Sequence, residues 1–199
     1  MQDDLILASQ SKIRAELLRN AKVLIRTETA RIDEKAIKEA LVAENAHPRD
    51  VADALAEAKA RKVSSKQLDA LVLGCDQVLS LDRKVFSKPK DKDHAVHQLK
   101  ALSGQTHQLF SAAVLYQDAQ PVWRFVGQVR LTMRNLSDDY IHNYVDRNWD
   151  SIQDSVGCYK LEEEGARLFS RVDGDYFTVL GLPLLELLSY LITRGTLPS

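Results

Sequence analysis

Short apolar runs alternate with amphipathic stretches in the first half of the chain. Leu5–Ala8 and residues 23–25 are runs typical of buried strands, and Lys12–Asn20 carries apolar residues at helical spacing. Further helices are predicted over residues 33–43, 51–63 and 91–102, the last ended by the stop signal Ser103-Gly104. This alternation of strands and helices predicts an α/β fold.

The second half of the chain predicts a long hairpin followed by two helices. Residues 107–116 and 122–133 are rich in strand-forming side chains, and residues 117–121 form the polar connection between them. Ser137 is a predicted N-cap for a helix over residues 138–147, and Pro183 suits the first turn of a final helix, Leu184–Thr193. Residues 174–183 are predicted to be a loop or short strand. A hairpin after strand–helix alternation predicts a mixed sheet with flanking helices, in two lobes around a cleft.

One predicted strand, residues 71–79, contains a carboxylate within an apolar run. Asp76 and its amide neighbour Gln77 interrupt a sequence of Leu, Val and Cys residues. A buried carboxylate is costly unless it is paired or used, so this position is a candidate functional site. Downstream, Asp82-Arg83 predicts a turn, and Lys88 precedes a proline, which favours an extended loop.

Composition restricts the class of protein. A chain of 199 residues with 45% hydrophobic and 28% charged residues suits one folded domain, here expected as two lobes sharing one sheet over residues 1–199. The formal net charge of −1 argues against nucleic acid or an anionic membrane as a partner. Cys75 and Cys158 lack metal-site spacing and are expected to be buried. Because Met1-Gln2-Asp3-Asp4 lacks a basic leader, a cytoplasmic location is expected.

The remaining chemical candidates are polar residues spread along the chain. Sequence patterns typical of P-loop enzymes, dinucleotide-binding enzymes, serine hydrolases and zinc proteases are missing. Helix-start amides and cations bind phosphate oxygens, and carboxylates bind Mg²⁺, so such a set suits phosphate chemistry. The candidates are Ser9, Arg14, Asp33, Glu34, Lys59, Asp76 and Lys88.

These residues lie in sequence blocks that resemble the Maf family of nucleoside triphosphate pyrophosphatases. The blocks span nearly the whole chain: Leu5-Ile6-Leu7-Ala8-Ser9 with Ser11 and Arg14, Asp33-Glu34, Leu55-Ala56 with Lys59-Ala60, Gly74-Cys75-Asp76-Gln77-Val78, Lys88-Pro89, Leu102-Ser103-Gly104 with His107, and Gly181-Leu182-Pro183. The resemblance implies hydrolysis of a nucleoside triphosphate to the monophosphate and pyrophosphate with a divalent metal, Mg²⁺, Mn²⁺ or Co²⁺. It also implies an elongated mixed sheet in two lobes around a nucleotide cleft, similar to inosine triphosphate pyrophosphatases. Dimers are common in the family, so a homodimer is an open alternative.

The resemblance also implies roles for individual residues. It makes Asp76 the general base and a metal ligand, and it places Glu34 near the metal or the substrate. The phosphate contacts implied by the resemblance are Ser9, Arg14, Lys59 and Lys88.

Three departures from the common family pattern bear on the substrate. Ile13 stands where one arginine is expected, Gln77 replaces the threonine of members acting on dTTP and UTP, and Glu162 replaces their glutamine. Gln77 and Glu162 make the chain resemble the subgroup that acts on 7-methyl-GTP. N7-methylguanine is cationic, and a carboxylate at Glu162 can accept hydrogen bonds from guanine N1–H and N2–H₂. Glu163 and Glu164 are also interpreted as a solvated acidic loop.

Two alternatives stay open at this point. The chain can belong to the dTTP/UTP branch of the same family, which Glu162→Gln would test. It can also be a non-catalytic nucleotide sensor that regulates cell division and septum formation, although a general base at Asp76 would then serve no purpose.

Overall fold

The computed structural model describes residues 5–198, so Met1-Gln2-Asp3-Asp4, which support the cytoplasmic prediction, lie outside the described residues. The strands are β1 (Leu5–Ala8), β2 (Ile25–Thr27), β3 (Leu71–Leu81), β4 (Lys84–Val85), β5 (Thr106–Gln117), β6 (Gln120–Met133) and β7 (Phe169–Asp173). The helices are α1 (Lys12–Asn20), α2 (Glu34–Ala43), α3 (Pro48–Ser64), α4 (Lys92–Leu102), α5 (Asp138–Ile152), α6 (Tyr176–Val179) and α7 (Leu184–Thr193), and a 3-10 helix covers Glu164–Leu168. Within residues 5–198, no helix combines the length and the apolar character needed to cross a membrane.

The strands form one seven-stranded mixed sheet in the order β2-β1-β3-β5-β6-β7, with β4 paired to β3. Strand β1 runs parallel to both β2 and β3, and the pairs β3/β4 and β6/β7 are antiparallel. The register places Ala8 opposite Gly74, so the end of β1 lies beside the start of the polar part of β3. The predicted α/β fold with a mixed sheet and flanking helices is confirmed.

The chain divides into two compact units, which we describe separately. The first unit comprises the described residues up to 77, residues 110–127 and the described residues from 175 onward. The second unit comprises residues 78–109 and 128–174. In the first unit, an apolar core is formed by β1, β3, β5, α1 and α7, including Leu7, Leu18, Leu73, Leu115 and Leu187. Both cysteines are buried, as expected.

Some predicted boundaries were wrong. Strand β2 covers Ile25–Thr27 rather than residues 23–25, because Val23 takes part in the end of α1: Lys22 has a φ of 60° and the Val23 N–H donates to the Leu18 carbonyl at 3.0 Å. Residues 174–183 contain the helix α6 instead of a loop or strand. Asp175 caps this helix by accepting a hydrogen bond from the Thr178 N–H at 2.6 Å, which stabilises a turn too short to show helical periodicity. Helix α5 extends to Ile152, beyond the predicted end at residue 147.

Candidate active site

Asp76 is paired with Lys59 inside the first unit. Lys59 lies on α3, and its Nζ donates a hydrogen bond to Asp76 Oδ1 on β3 at 2.6 Å. The side chains are 10% and 12% exposed, respectively. A buried charge pair of this kind satisfies both groups, since either one alone would be strongly disfavoured in this environment. Among the described residues, Asp76 Oδ2 has no hydrogen-bond partner, so it is the oxygen that can accept a proton.

Glu34 adds a second carboxylate to the same lysine. Asp33 caps α2 by accepting from the Ala36 N–H at 2.9 Å, which makes Glu34 the first residue of the helix. Glu34 Oε1 lies 3.1 Å from Lys59 Nζ, and the Glu34 side chain is 55% exposed. Lys59 therefore connects a buried carboxylate to one that faces solvent.

Gly74 sets the close approach of α3 to β3. A Cβ atom at this position would lie 2.1 Å from the Ala56 carbonyl oxygen and 2.6 Å from the Ala60 backbone nitrogen. Only glycine therefore allows the helix backbone to lie this near the strand. Because Lys59 precedes Ala60, the same approach brings the ammonium group to Asp76.

Arg14 holds three parts of the first unit together. Its Nε donates to the Gly181 carbonyl at 2.8 Å, and its Nη1 donates to the Cys75 carbonyl at 3.1 Å and to Ser9 Oγ at 3.3 Å. Ser9 Oγ also accepts from the Ser11 N–H at 3.2 Å. Among the described residues, Arg14 Nη2 has no hydrogen-bond partner, so this nitrogen can donate to a ligand. The phosphate contacts at Ser9 and Arg14 stay predictions.

Gln77 has a fixed amide orientation. Its Nε2 lies 3.0 Å from Ser111 Oγ, 3.2 Å from the Thr178 carbonyl and 2.9 Å from the Val179 carbonyl. Surrounded by acceptors, the amide nitrogen is directed into the protein. The carbonyl Oε1 has no hydrogen-bond partner among the described residues, so Gln77 offers an acceptor to a ligand.

The carboxylates of Asp76 and Glu34 suit a divalent metal that is also bound by the phosphates of a nucleotide. Within residues 5–198, no group of three or more His, Cys, Asp or Glu side chains could hold a metal ion alone. Asp76 and Glu34 are two hard oxygen donors on either side of Lys59. Mg²⁺ is commonly bound by one or two carboxylates together with substrate phosphates and water, so this donor set fits such an ion.

The second unit contains the other two predicted substrate contacts, Lys88 and Glu162. Lys88 is exposed on the extended segment after β4, and Glu162 is exposed before the 3-10 helix. Neither side chain forms a hydrogen bond or an ion pair with the described residues. Their roles toward a substrate stay predictions.

Glu163 and Glu164 both accept hydrogen bonds from α5. Glu163 accepts from Ser151 Oγ at 2.6 Å. Glu164 accepts two hydrogen bonds from the Arg147 guanidinium, one of them at 2.8 Å, and one from Asn148 Nδ2 at 2.8 Å. The hydrogen bonds from Arg147 and Asn148 lower the pKa of Glu164 to about 2. Glu163 is nevertheless 42% exposed, as the solvated interpretation expected, whereas Glu164 is only 21% exposed and is held by donors from α5.

Two polar residues in these units were not identified from the sequence. Lys38 lies one helical turn after Glu34, a spacing that could have indicated it. Gln98 is 4% exposed and donates to the Ser87 carbonyl at 2.8 Å, while its Oε1 accepts from Cys158 Sγ at 3.4 Å. No sequence signal indicates Gln98, because Ser87 and Cys158 lie on other segments and only His94, 3.2 Å from Gln98 Nε2, lies on the same helix.

Comparison with known proteins supports the family resemblance. The family model described as Maf-like protein matches residues 4–194. A nucleoside triphosphate pyrophosphatase of Roseobacter denitrificans is 63% identical over 198 residues, covering 100% of both chains. One of Ruegeria sp. is 61% identical over 195 residues, covering 98% of both chains. A 7-methyl-GTP pyrophosphatase of Brucella abortus is 49% identical over 187 residues, covering 94% of both chains.

Proposed function

This chain belongs to the Maf-like protein family, and we propose that it hydrolyses nucleoside triphosphates to the nucleoside monophosphate and pyrophosphate. The buried pair of Asp76 and Lys59 carries this proposal, because it places a carboxylate beside a desolvated cation. The similarity to pyrophosphatases of Roseobacter and Ruegeria along the full chain supports it.

In this proposal Asp76 activates the attacking water. The water oxygen attacks the α-phosphorus while its proton passes to Asp76 Oδ2, and the bond to the bridging oxygen between the α- and β-phosphates breaks. The bond electrons leave with pyrophosphate. Lys59 orients Asp76 before the reaction by donating to its Oδ1, and Arg14 Nη2 donates to a phosphate oxygen. Lys88 is a further proposed phosphate contact.

We propose that Asp76 and Glu34 bind a divalent metal, Mg²⁺, Mn²⁺ or Co²⁺, together with the substrate. Such an ion would neutralise charge on the phosphate chain. Lys59, which lies between the two carboxylates, would be available to phosphate oxygens if those carboxylates held the ion. The site would therefore exchange internal ion pairs for contacts with the metal and the triphosphate.

We further propose that 7-methyl-GTP is the preferred substrate. Of the three consecutive acids, Glu163 and Glu164 are engaged by the protein, whereas Glu162 has no partner among the described residues. Its carboxylate is available for N1–H and N2–H₂ of a guanine whose N7-methyl group makes the base cationic. The relative in Brucella abortus, named 7-methyl-GTP pyrophosphatase, supports this choice.

Pyrophosphate release from a panel of triphosphates tests both proposals. The panel contains 7-methyl-GTP, GTP, ATP, CTP, UTP and dTTP, each with Mg²⁺, Mn²⁺ or Co²⁺. We expect turnover with the highest kcat/KM for 7-methyl-GTP, and higher values for UTP and dTTP would instead place the chain in the other branch. No turnover with any combination would refute the catalytic function and favour a nucleotide sensor.

Two substitutions separate catalysis from specificity. Asp76→Asn should retain nucleotide binding but lower kcat by about 10²- to 10⁴-fold, the usual contribution of a general base. Glu162→Gln should reduce the preference for 7-methyl-GTP over GTP, with Glu163→Gln as the matched control. Wild-type kcat in Asp76→Asn would show that Asp76 is not the base.

A further inference from the structure

Glu162 lies in a tight turn of the second unit that backbone contacts close. The Glu163 N–H donates to the Lys160 carbonyl at 3.3 Å, which makes Glu162 one of the two central residues of the turn. Lys160 Nζ also lies 3.3 Å from Glu163 Oε1. A Cβ atom at Gly165 would lie 2.3 Å from the Lys160 carbonyl oxygen, so the chain after the turn passes directly against its start. The turn is therefore compact, and Glu162 is exposed on it.

Helix α5 supplies hydrogen-bond donors to the acids on the C-terminal side of this turn. Ser151 lies four positions after Arg147 and three after Asn148, so the three side chains share one face of the helix. Ser151 Oγ donates to Glu163 Oε2 at 2.6 Å, and Asn148 Nδ2 donates to Glu164 Oε2 at 2.8 Å. This face of α5 therefore attaches the turn to a regular element.

Glu164 forms the main attachment between the turn and α5. Its two carboxylate oxygens accept from Nε and Nη2 of Arg147, the first at 2.8 Å, which is the bidentate geometry that a guanidinium favours. Asn148 adds a third hydrogen bond, Tyr140 Oη donates at 3.5 Å, and Arg167 Nη1 lies 3.6 Å from Oε1. The Glu164 side chain is only 21% exposed. Its carboxylate is thus occupied by the protein on both oxygens.

We propose that Glu164 is a positioning residue whose contacts with Arg147 and Asn148 hold the turn so that Glu162 is presented to the base of the substrate. This inference rests on the proposed function, in which Glu162 accepts hydrogen bonds from 7-methylguanine. Glu164 acts through the turn and not on the base, because its oxygens are occupied and Arg147 offsets its charge. A turn that is fixed beforehand loses little conformational freedom on binding, which raises the affinity for the base.

The test compares Glu164→Ala with the matched control Asp154→Ala. Asp154 is an exposed acid just after α5, and its carboxylate forms no hydrogen bond or ion pair with the described residues, so the control changes the net charge equally. The probes are 7-methyl-GMP for the base and inorganic tripolyphosphate with Mg²⁺ for the phosphate chain. Calorimetry should show 7-methyl-GMP binding weakened by about 2- to 10-fold in Glu164→Ala, the cost of ordering one side chain on binding. Tripolyphosphate affinity should stay unchanged, and Asp154→Ala should equal the wild type with both probes.

Arg147→Met separates positioning from direct attraction of the cationic base by Glu164. This variant removes a positive charge, so direct attraction would strengthen 7-methyl-GMP binding, whereas loss of positioning should weaken it by the same 2- to 10-fold. The double variant Arg147→Met/Glu164→Ala should lose no more than Glu164→Ala alone, because both residues act through one contact. Asn148→Ala, which changes no charge, replaces Glu164→Ala if that variant does not fold. Stronger or unchanged 7-methyl-GMP binding in a folded Arg147→Met variant would overturn the proposal.

Failure of this inference can be distinguished from failure of the proposed function. If Glu162→Gln weakens 7-methyl-GMP binding and a folded Glu164→Ala variant does not, only the role of Glu164 is wrong. If neither variant differs from the wild type, recognition of the base by Glu162 fails and this inference fails with it. Equal losses of 7-methyl-GMP and tripolyphosphate affinity in Glu164→Ala would show a general loss of structure and overturn the proposal. The titrations need no turnover, so a wild type that releases no pyrophosphate would refute the catalytic function alone.

Discussion

Lys59 Nζ lies 2.6 Å from Asp76 Oδ1, and the two side chains are only 10% and 12% exposed. A buried ion pair stabilises a fold little compared with apolar packing, but removal of one partner leaves a charge in a poorly solvated place. The pair therefore affects the stability of the fold separately from any role in hydrolysis. Unfolding free energy and catalytic activity can be measured independently.

Lys59→Met should lower the free energy of unfolding by about 3–5 kcal/mol, because Asp76 then keeps a buried charge without its cation. Urea denaturation in the absence of divalent metal measures this loss. The double variant Lys59→Met/Asp76→Asn should be more stable than Lys59→Met alone, since the remaining side chain is neutral. Equal stability of the single and double variants would contradict a buried charge as the cause.

Gly74→Ala should disturb the pair of Lys59 and Asp76 by displacing the backbone of α3. The added Cβ would lie 2.1 Å from the Ala56 carbonyl oxygen, which forces α3 away from β3 and moves Lys59 from Asp76. We expect a loss of about 1–3 kcal/mol in unfolding free energy, as for overpacked cores, and a lower kcat/KM for pyrophosphate release. Adding Ala60→Gly should restore little, because two of the three nearest atoms belong to the helix backbone. Full recovery in the double variant would contradict this explanation.

The sequence predicted the elements that local pattern determines, and it missed contacts between distant segments. Asp76 was identified because the nine residues 71–79 are enough to show a carboxylate within an apolar strand. Arg14 was expected only at a phosphate, yet it also binds the carbonyl of Gly181, which lies 167 positions away in sequence. Its interactions with Gly181 and Cys75 depend on how α1 packs, and no spacing encodes them.

The same limit applies to the residues that the sequence did not indicate. Lys38 is half-buried on α2, and the sequence indicates only its spacing from Glu34. Helix α6 was missed because four residues with one capping aspartate are too few to show a period. The resemblance to a family supplied the roles of Lys88 and Glu162, for which local pattern offered only exposed charges.

Gln98→Leu should destabilise the second unit around the segment that carries Lys88. Gln98 donates to the Ser87 carbonyl at 2.8 Å, accepts from Cys158 Sγ at 3.4 Å and lies 3.2 Å from His94 Nε2, so leucine removes three interactions from a buried position. We expect a loss of about 1–3 kcal/mol and faster amide hydrogen exchange near Lys88. Lys100→Leu on the same helix replaces a surface residue paired with Asp138 and should cost less than 1 kcal/mol. Equal effects of the two substitutions would contradict a role for Gln98 in holding this segment.

His107 should make the protein less stable as the pH falls from 7 to 5. The ring is fully buried, its Nε2 lies 2.7 Å from Tyr159 Oη, and its Nδ1 has no hydrogen-bond partner among the described residues. Burial lowers the pKa of His107 to about 4. The unfolded chain therefore takes up a proton near pH 6.5 that the folded protein does not, and folding loses about 2 kcal/mol at pH 5 relative to pH 7.

Urea denaturation of the wild type and His107→Phe at pH 7 and pH 5, at one ionic strength, measures this effect. The variant should be less stable at pH 7, because Tyr159 loses its partner, but it should lose about 2 kcal/mol less than the wild type on acidification. His142→Gln replaces an exposed histidine and should keep the wild-type pH dependence. If His107→Phe and the wild type lose the same free energy between the two pH values, another group causes the acid sensitivity, and the neutral state of His107 does not contribute to it.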